Sequence, residues 1–372
     1  MLKYGTDKTG VMTAWRYGMD KVKKILYRIF IDGLSGMAMG LFATLIIGTI
    51  IQQVGTFVGG TVGDFLFQIG KMAAAVTGAG IGVGVAVKFK ESTLVTISAA
   101  TAGMVGGFGA KMLAGTVVSG SVVTLAGPGE PLGAFIAAYV CIVCGRLVSG
   151  KTKVDILVTP LVSILTGSAA GLFVGPPISE FMTWLGTLIN WGTEQQPFLM
   201  GIIVSVLMGM ILTLPISSAA LGVALNLGGL AAGAATVGCC ANMVGFAVAS
   251  YRENKMGGLL AQGVGTSMLQ VPNIMKKPII WLPVIISSAI LGPISTMVFQ
   301  MQSNAIGSGM GTAGLVGPIM AYQTMAPEIG GAMALFQIVL MHVVLPAILT
   351  LVISELMRKY GIIKDGDMKL DV

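Results

Sequence analysis

Charge is scarce in this chain: only 10% of its 372 residues are Asp, Glu, Lys or Arg, against about 25% in soluble domains. That excludes an ordinary soluble enzyme. Aromatic residues make up only 7%, so no core is built around large rings. A single histidine leaves no His cluster to ligate a metal. Four cysteines in so long a chain do not make a disulfide scaffold. Neither a Walker A sequence nor a GxSxG elbow is present, which argues against an ATP-driven pump and a serine hydrolase.

What remains is small and aliphatic: 55% hydrophobic residues, with 54 Gly and 25 Met, at a mean hydropathy of +0.89. A bilayer span needs about 20 apolar residues. Small residues let helices approach closely where no hydrophobic force drives them together in lipid. The composition therefore reads as an all-α polytopic membrane protein. Apolar runs at about 33–54, 63–87, 93–113, 132–149, 154–175, 197–213, 214–232, 233–251, 278–299 and 331–357 give about ten transmembrane helices.

The net charge of +7 is no sign of nucleic acid, because Lys3, Lys8, Arg16, Lys21, Lys23, Lys24 and Arg28 all precede the first run. They are the positive-inside signature of a cytoplasmic amino terminus. Residues 1–32 interleave Trp15, Tyr17 and Ile25 with these cations. This suits a basic amphipathic helix on the inner leaflet or, equally, a snorkelling approach to the first span. No continuous apolar stretch precedes a small-residue cleavage site, so no cleavable signal is expected. With this start inside, Lys88, Lys90, Arg146, Lys151, Lys153, Arg252, Lys255, Lys276, Lys277, Arg358 and Lys359 all fall on the cytoplasmic side. The 176–196 connection, free of Lys and Arg, falls outside. The expected layout is a basic segment 1–32, a membrane domain 33–358 and a tail 359–372, with both termini cytoplasmic at a cell membrane and lipid as a surrounding partner.

Self-similarity supports a parallel four-helix repeat, about 63–190 and 197–310. TLVTISAATAG from Thr93 is echoed by TLPISSAALG from Thr213, KVDILVTPLVS from Lys153 by KPIIWLPVIIS from Lys277, and GPPIS from Gly175 by GPIS from Gly292. An even number of spans per unit repeats in the same orientation. Residues 116–131 have no counterpart, and the short loop 151–153 is replaced by the long segment 252–277. Both are too polar and Gly-rich to face lipid, so re-entrant or broken-helix segments lining a cavity are expected there.

The candidate binding residues follow from polarity in apolar surroundings. Glu130 sits in GPGEP, where two prolines interrupt any helix and Pro131 suits the first turn of the next. It can accept substrate hydroxyls, or it can be a helix-start acid favoured by the dipole. His342, in LMHVVLP, can bond a ligand or be a packing residue. Asn226, Asn242, Gln262, Gln270, Asn273, Asn304 and Gln323 carry both donors and acceptors, as a neutral polyhydroxyl solute requires. The same amides can instead join helices to one another. Lys71 and Lys111 either pair with a carboxylate such as Asp64 or snorkel. Cys141 with Cys144, and the adjacent Cys239 and Cys240, lie in apolar runs and read as small packing residues, so no metal or cofactor is expected.

GPGEPLGAFIAAYV, LPISSAALGVALNLGGLAAG and GMGTAGLVGPI together resemble the membrane permease, or enzyme IIC, class of the bacterial phosphotransferase system, and within it the PfoR-like branch. The likeness runs from about residue 12 to 357. It implies a homodimeric permease that binds a sugar and presents it to a phosphorylated cytoplasmic carrier protein, with Glu130 and His342 as the residues to contact the sugar. The chain departs from the usual Glu-containing motif and carries no phosphorylatable domain, so it is at most the membrane component of a sugar phosphotransferase. Two other functions fit the same sequence: an ion-coupled or facilitative solute carrier, and a membrane sensor that regulates through a cytoplasmic partner.

Overall fold

A computed structural model describes residues 26–119, 122–125 and 127–370. Most of the basic segment 1–32 lies outside the described residues. The first helix, α1 (Arg28–Val58), is 31 residues long and begins before position 33. Gly59, at φ +64°, turns the chain back. The next span is bent by 54° between α2 (Gly60–Ala75) and α3 (Thr77–Lys88).

Helix α4 (Thr93–Gly107) opens on Ser92, whose hydroxyl accepts the Val95 N–H at 3.5 Å. A short α5 (Gly109–Leu113) follows, then a two-stranded ribbon of β1 (Val118–Ser119) against β2 (Val122–Val123), with Val118 opposite Val123. The 116–131 stretch is thus largely an exposed ribbon. Among its described residues Val117 and the last few turn into the protein, while the β-branched run pairs with itself instead of continuing a helix.

Pro131 begins α6 (Pro131–Val148), as expected. Helix α7 (Asp155–Thr193) is 39 residues long and continues through Pro176 and Pro177, so the expected outer loop 176–196 is mostly helix. Gly171 and Gly175 pack against Gly109 and Ala110, and Gly192 against Ile203, which holds the helix together across the prolines. At 1.5 Å per residue it is about 58 Å long, well beyond a hydrocarbon core of about 30 Å.

The second half begins with α8 (Pro197–Thr213), which ends in an extended Leu214 at ψ 159°. The short α9 (Ser218–Ala224) and the buried α10 (Gly229–Ala249) follow. Segment 252–277 is broken into α11 (Tyr251–Leu260), a π turn at Ala261–Gly265, a 3-10 turn at Ser267–Gln270 and α12 (Val271–Lys276). Then come α13 (Pro278–Val298), an irregular stretch, α14 (Val316–Ile329) and α15 (Gly331–Lys359).

Among the described residues, six helices are long and apolar enough to cross a membrane, seven with the bent pair, and α4 and α8 are shorter apolar helices. The protein is an all-α polytopic membrane protein. Its seams are made of small residues. A Cβ on Gly106 of α4 would strike the backbone of Gly133 in α6, and one on Gly201 of α8 would strike that of Gly292 in α13. Backbone-to-backbone approach of this kind is how helices gain dispersion contact in lipid.

The sequence echoes fall at comparable but unequal places. Helices α6 and α7 run antiparallel, with Gly145 on Ser163 and Gly133 near Ile178. Helices α10 and α13 do the same, with Gly245 on Val284 and Asn242 bonded to Ser288. Thr93–Gly103 lies in the continuous α4, whereas Thr213–Gly222 spans the break between α8 and α9.

The cations expected on one side do share one end of the molecule. Arg28 and Arg146 both pair with Glu91, Lys276 lies 5.9 Å from the Tyr27 ring, and Arg358 bonds Glu253 at 2.8 Å.

Candidate solute site

The GPGEP turn is shaped by its own residues. Gly127 and Gly129 take φ of +79° and +76°, a region that costs other residues strain. The bare Cα of Gly129 also lets the chain lie against the Gly107 carbonyl. The Glu130 N–H donates to that carbonyl at 2.7 Å, tying the turn to the end of α4. Pro131 then fixes the first turn of α6 and leaves Glu130 in the cap position.

The backbone N–H groups of Leu132 and Ser217 lie against the Glu130 carboxyl and favour its charged form. Leu132 belongs to its own helix, but Ser217 comes from the PISS break 87 positions later. Its Oε1 oxygen is buried without a hydrogen-bond partner. A buried acceptor in that state lacks what water would give it, so a hydroxyl brought there would be gained at little cost.

The break is in turn built onto the irregular segment. Ser218 Oγ donates to the Gly309 carbonyl at 2.6 Å, and Gly222 packs against Ser308. Asn304 Oδ1 accepts the N–H groups of Ile306 at 3.1 Å and Gly307 at 3.0 Å, shaping the loop itself. The 127–131 turn therefore meets the 214–222 break at Ser217, and the break in turn meets 304–309. An open cleft of about 400 Å³ is lined by Ala110 of α5 and by Pro176, Glu180 and Thr183 of α7.

The other expected site residues are placed differently. Asn226 is exposed, in the left-handed region at φ 48°, and turns the chain after α9. Gln323 is exposed on α14. Asn242 is fully buried and its amide is used up: it donates to the Gly238 carbonyl and Ser288 Oγ, both at 3.1 Å, and its oxygen accepts from Thr213 and Trp281, both at 3.2 Å. Gln262 and Asn273 are buried at the basic end, linked through Gln270. Gln270 donates to Gln262 at 2.8 Å, and Asn273 donates to Gln270 at 2.9 Å. Their remaining donors reach Ser250 and the carbonyls of Met368 and Lys369.

His342 is fully buried in a π turn of α15, packed against α10, with neither ring nitrogen bonded. Lys71 is exposed on α2, and Lys111 lies 5.7 Å from the Phe108 ring. Cys141, Cys239 and Cys240 are buried among apolar residues.

Sequence reasoning missed Ser217 and Ser218. The signal was available: paired serines behind Leu-Pro, inside an apolar run, mark a helix interruption with donors to spare.

A family model described as phosphotransferase system, EIIC, matches residues 31–370. The match is to the family as a whole, and no curated protein matches the chain.

Proposed function

Because the chain belongs to the EIIC family of the phosphotransferase system and is a multi-pass membrane permease of the sugar-transport kind, we propose that the cradle around Glu130 is its solute site. The solute is a sugar or a similar small polar molecule, and Glu130 accepts one of its hydroxyls. One observation carries this reading: a buried carboxylate oxygen without a partner, where the GPGEP turn meets the PISS break.

In its ionised form the carboxyl accepts a hydroxyl by a hydrogen bond stronger than a neutral one. The N–H groups of Leu132 and Ser217 lie against it, which limits the side-chain freedom lost when solute arrives. The phosphate is supplied by a cytoplasmic phosphocarrier protein, drawn to the basic end that bears Lys151, Lys153, Arg252 and Lys276. This orientation puts both termini in the cytoplasm. Glu130 caps the end of α6 opposite to Arg146, so the solute is carried to the basic end before its hydroxyl takes the phosphate. The permease acts as a homodimer. His342 is the second solute contact, on the strength of its two buried, unbonded nitrogens.

The test is a thermal-shift screen of the purified chain against sugars and polar metabolites, repeated on Glu130→Gln. A ligand that binds only the folded state raises its apparent stability. The reading expects a sugar that stabilises the parent and not the variant, and that accumulates as a phosphate ester when a phosphorylated carrier is supplied. Uptake that instead follows a proton or sodium gradient would make the chain an ion-coupled carrier. Binding without uptake would make it a sensor.

A further inference from the structure

Residues 361–370 fold back onto the basic end and lie in a groove made by α11, α12 and the turns between them. Gly361 at φ +71° and Gly366 at φ +94° make the reversals. Ile363, Met368 and Leu370 are buried, to 1%, 0% and 7% exposure. The first two join Phe246, Ile274 and Ile280 in an apolar cluster, and Leu370 packs with Leu269 and with Ala38 of α1.

Between these anchors the groove reads the tail's backbone. Asn254 donates to the Met368 carbonyl and accepts the Leu370 N–H, both at 2.8 Å, pairing the chain as a strand neighbour would. Gln270 donates to the same Met368 carbonyl at 3.0 Å, and Asn273 to that of Lys369 at 2.8 Å. Asp367 meets Lys277 at 2.5 Å, and Asp365 meets Arg358 at 3.0 Å. A surface tail held only by its ends has no such set of contacts.

The groove continues into the membrane domain. Ser267, three residues before Gln270, shares a hydrogen bond of 2.9 Å with Thr213, and Thr213 donates to Asn242. Met268 packs with Pro215 and with Leu34, Met37 and Leu41 of α1 around a small gap. The tail and the break after α8 are thus fastened to opposite sides of one short segment, 262–273.

We propose that the tail is a reversible latch. Docked, it pins segment 262–273 over the inner end of the α8 break; undocked, it frees that segment to move. The contacts suit release, because the groove's amides bond tail backbone that water can satisfy equally well. The chain Gln262–Gln270–Asn273 stays joined without the tail.

The experiment is maleimide labelling of Met268→Cys in the full-length chain in detergent, with the parent chain as background. Met268 is only 9% exposed with the tail docked. Leu370→Asp in the full chain, and a chain ending at Tyr360, are each expected to raise the labelling rate by at least about tenfold, as local opening sets the rate. A disulfide between Ala38→Cys and Leu370→Cys is expected to hold labelling at or below the docked rate. An unchanged rate in Leu370→Asp would overturn the latch, and so would fast labelling in the cross-linked chain. Should the shortened chain not fold, the full-length variants decide alone. No solute enters the assay, so its failure is separate from failure of the solute site.

Discussion

Gln270 is fully buried and Glu130 is half-buried with its Oε1 oxygen shut away from water, and the two are satisfied in opposite ways. Gln270 uses its whole amide inside the protein, on Gln262, Asn273 and the Met368 carbonyl. Glu130 has two backbone N–H groups against its carboxyl and still leaves one oxygen with nothing. Burial alone does not mark a binding residue; in the proposed reading the unspent valence of Glu130 is what sets it apart from Gln270. The same test separates Asn242, whose four bonds join α8, α10 and α13, from His342, which makes none.

The sharpest way to break this comparison is to remove the unspent valence. Glu130→Ala is expected to weaken solute binding by about 10- to 100-fold, the range for a hydrogen bond to a charged group, while melting changes little without ligand. Asn242→Ala should do the reverse. It leaves the Trp281 N–H and the Ser288 hydroxyl without their Asn242 partner, and a loss of about 1–3 kcal/mol in unfolding stability is expected, with affinity per folded molecule unchanged. Gly106→Val tests the seam beneath the site: a side chain against the Gly133 backbone should cost about 1–3 kcal/mol of stability and move the GPGEP turn with it.

The smallest effect concerns pH. Burial pushes the Asp367 carboxyl up, but the Lys277 ammonium and the Lys364 N–H outweigh it and hold it below its ordinary value. A depressed carboxyl stabilises docking above its free value of about 3.9 and loses that contribution as pH falls through the docked value. Divided by the rate of an exposed cysteine at the same pH, which removes the thiolate dependence of the reagent, Met268→Cys labelling should therefore be flat from about pH 8 to 5 and rise only below the ordinary carboxylate range. Asp367→Asn should raise it slightly above that range and leave it unchanged below, as a single partly exposed pair contributes little.

Much of this was legible in the sequence. Apolar runs separated by cations gave the membrane class, and the prolines of GPGEP marked an interruption whose acid caps α6. Polarity also marked 252–277 as unfit for lipid, and it is broken into short helical pieces. What stayed hidden was partnership. Gln262 and Asn273 look in sequence like solute ligands, yet their partners are Ser250 and the carbonyl of Lys369, which only the fold brings near. Ser217 was hidden for the same reason, because its neighbour Glu130 lies in the other half of the chain. The length of α7 was obscured by Pro176 and Pro177, which tertiary packing overrides.

The most direct measurement is equilibrium binding of the stabilising sugar to folded parent and Glu130→Gln protein, side by side. The account predicts an affinity at least about tenfold lower in the variant, equivalent to about 1.4 kcal/mol, because the amide keeps the shape and replaces one acceptor oxygen by a donor. Equal affinities would contradict it, and would move the solute site away from the GPGEP turn.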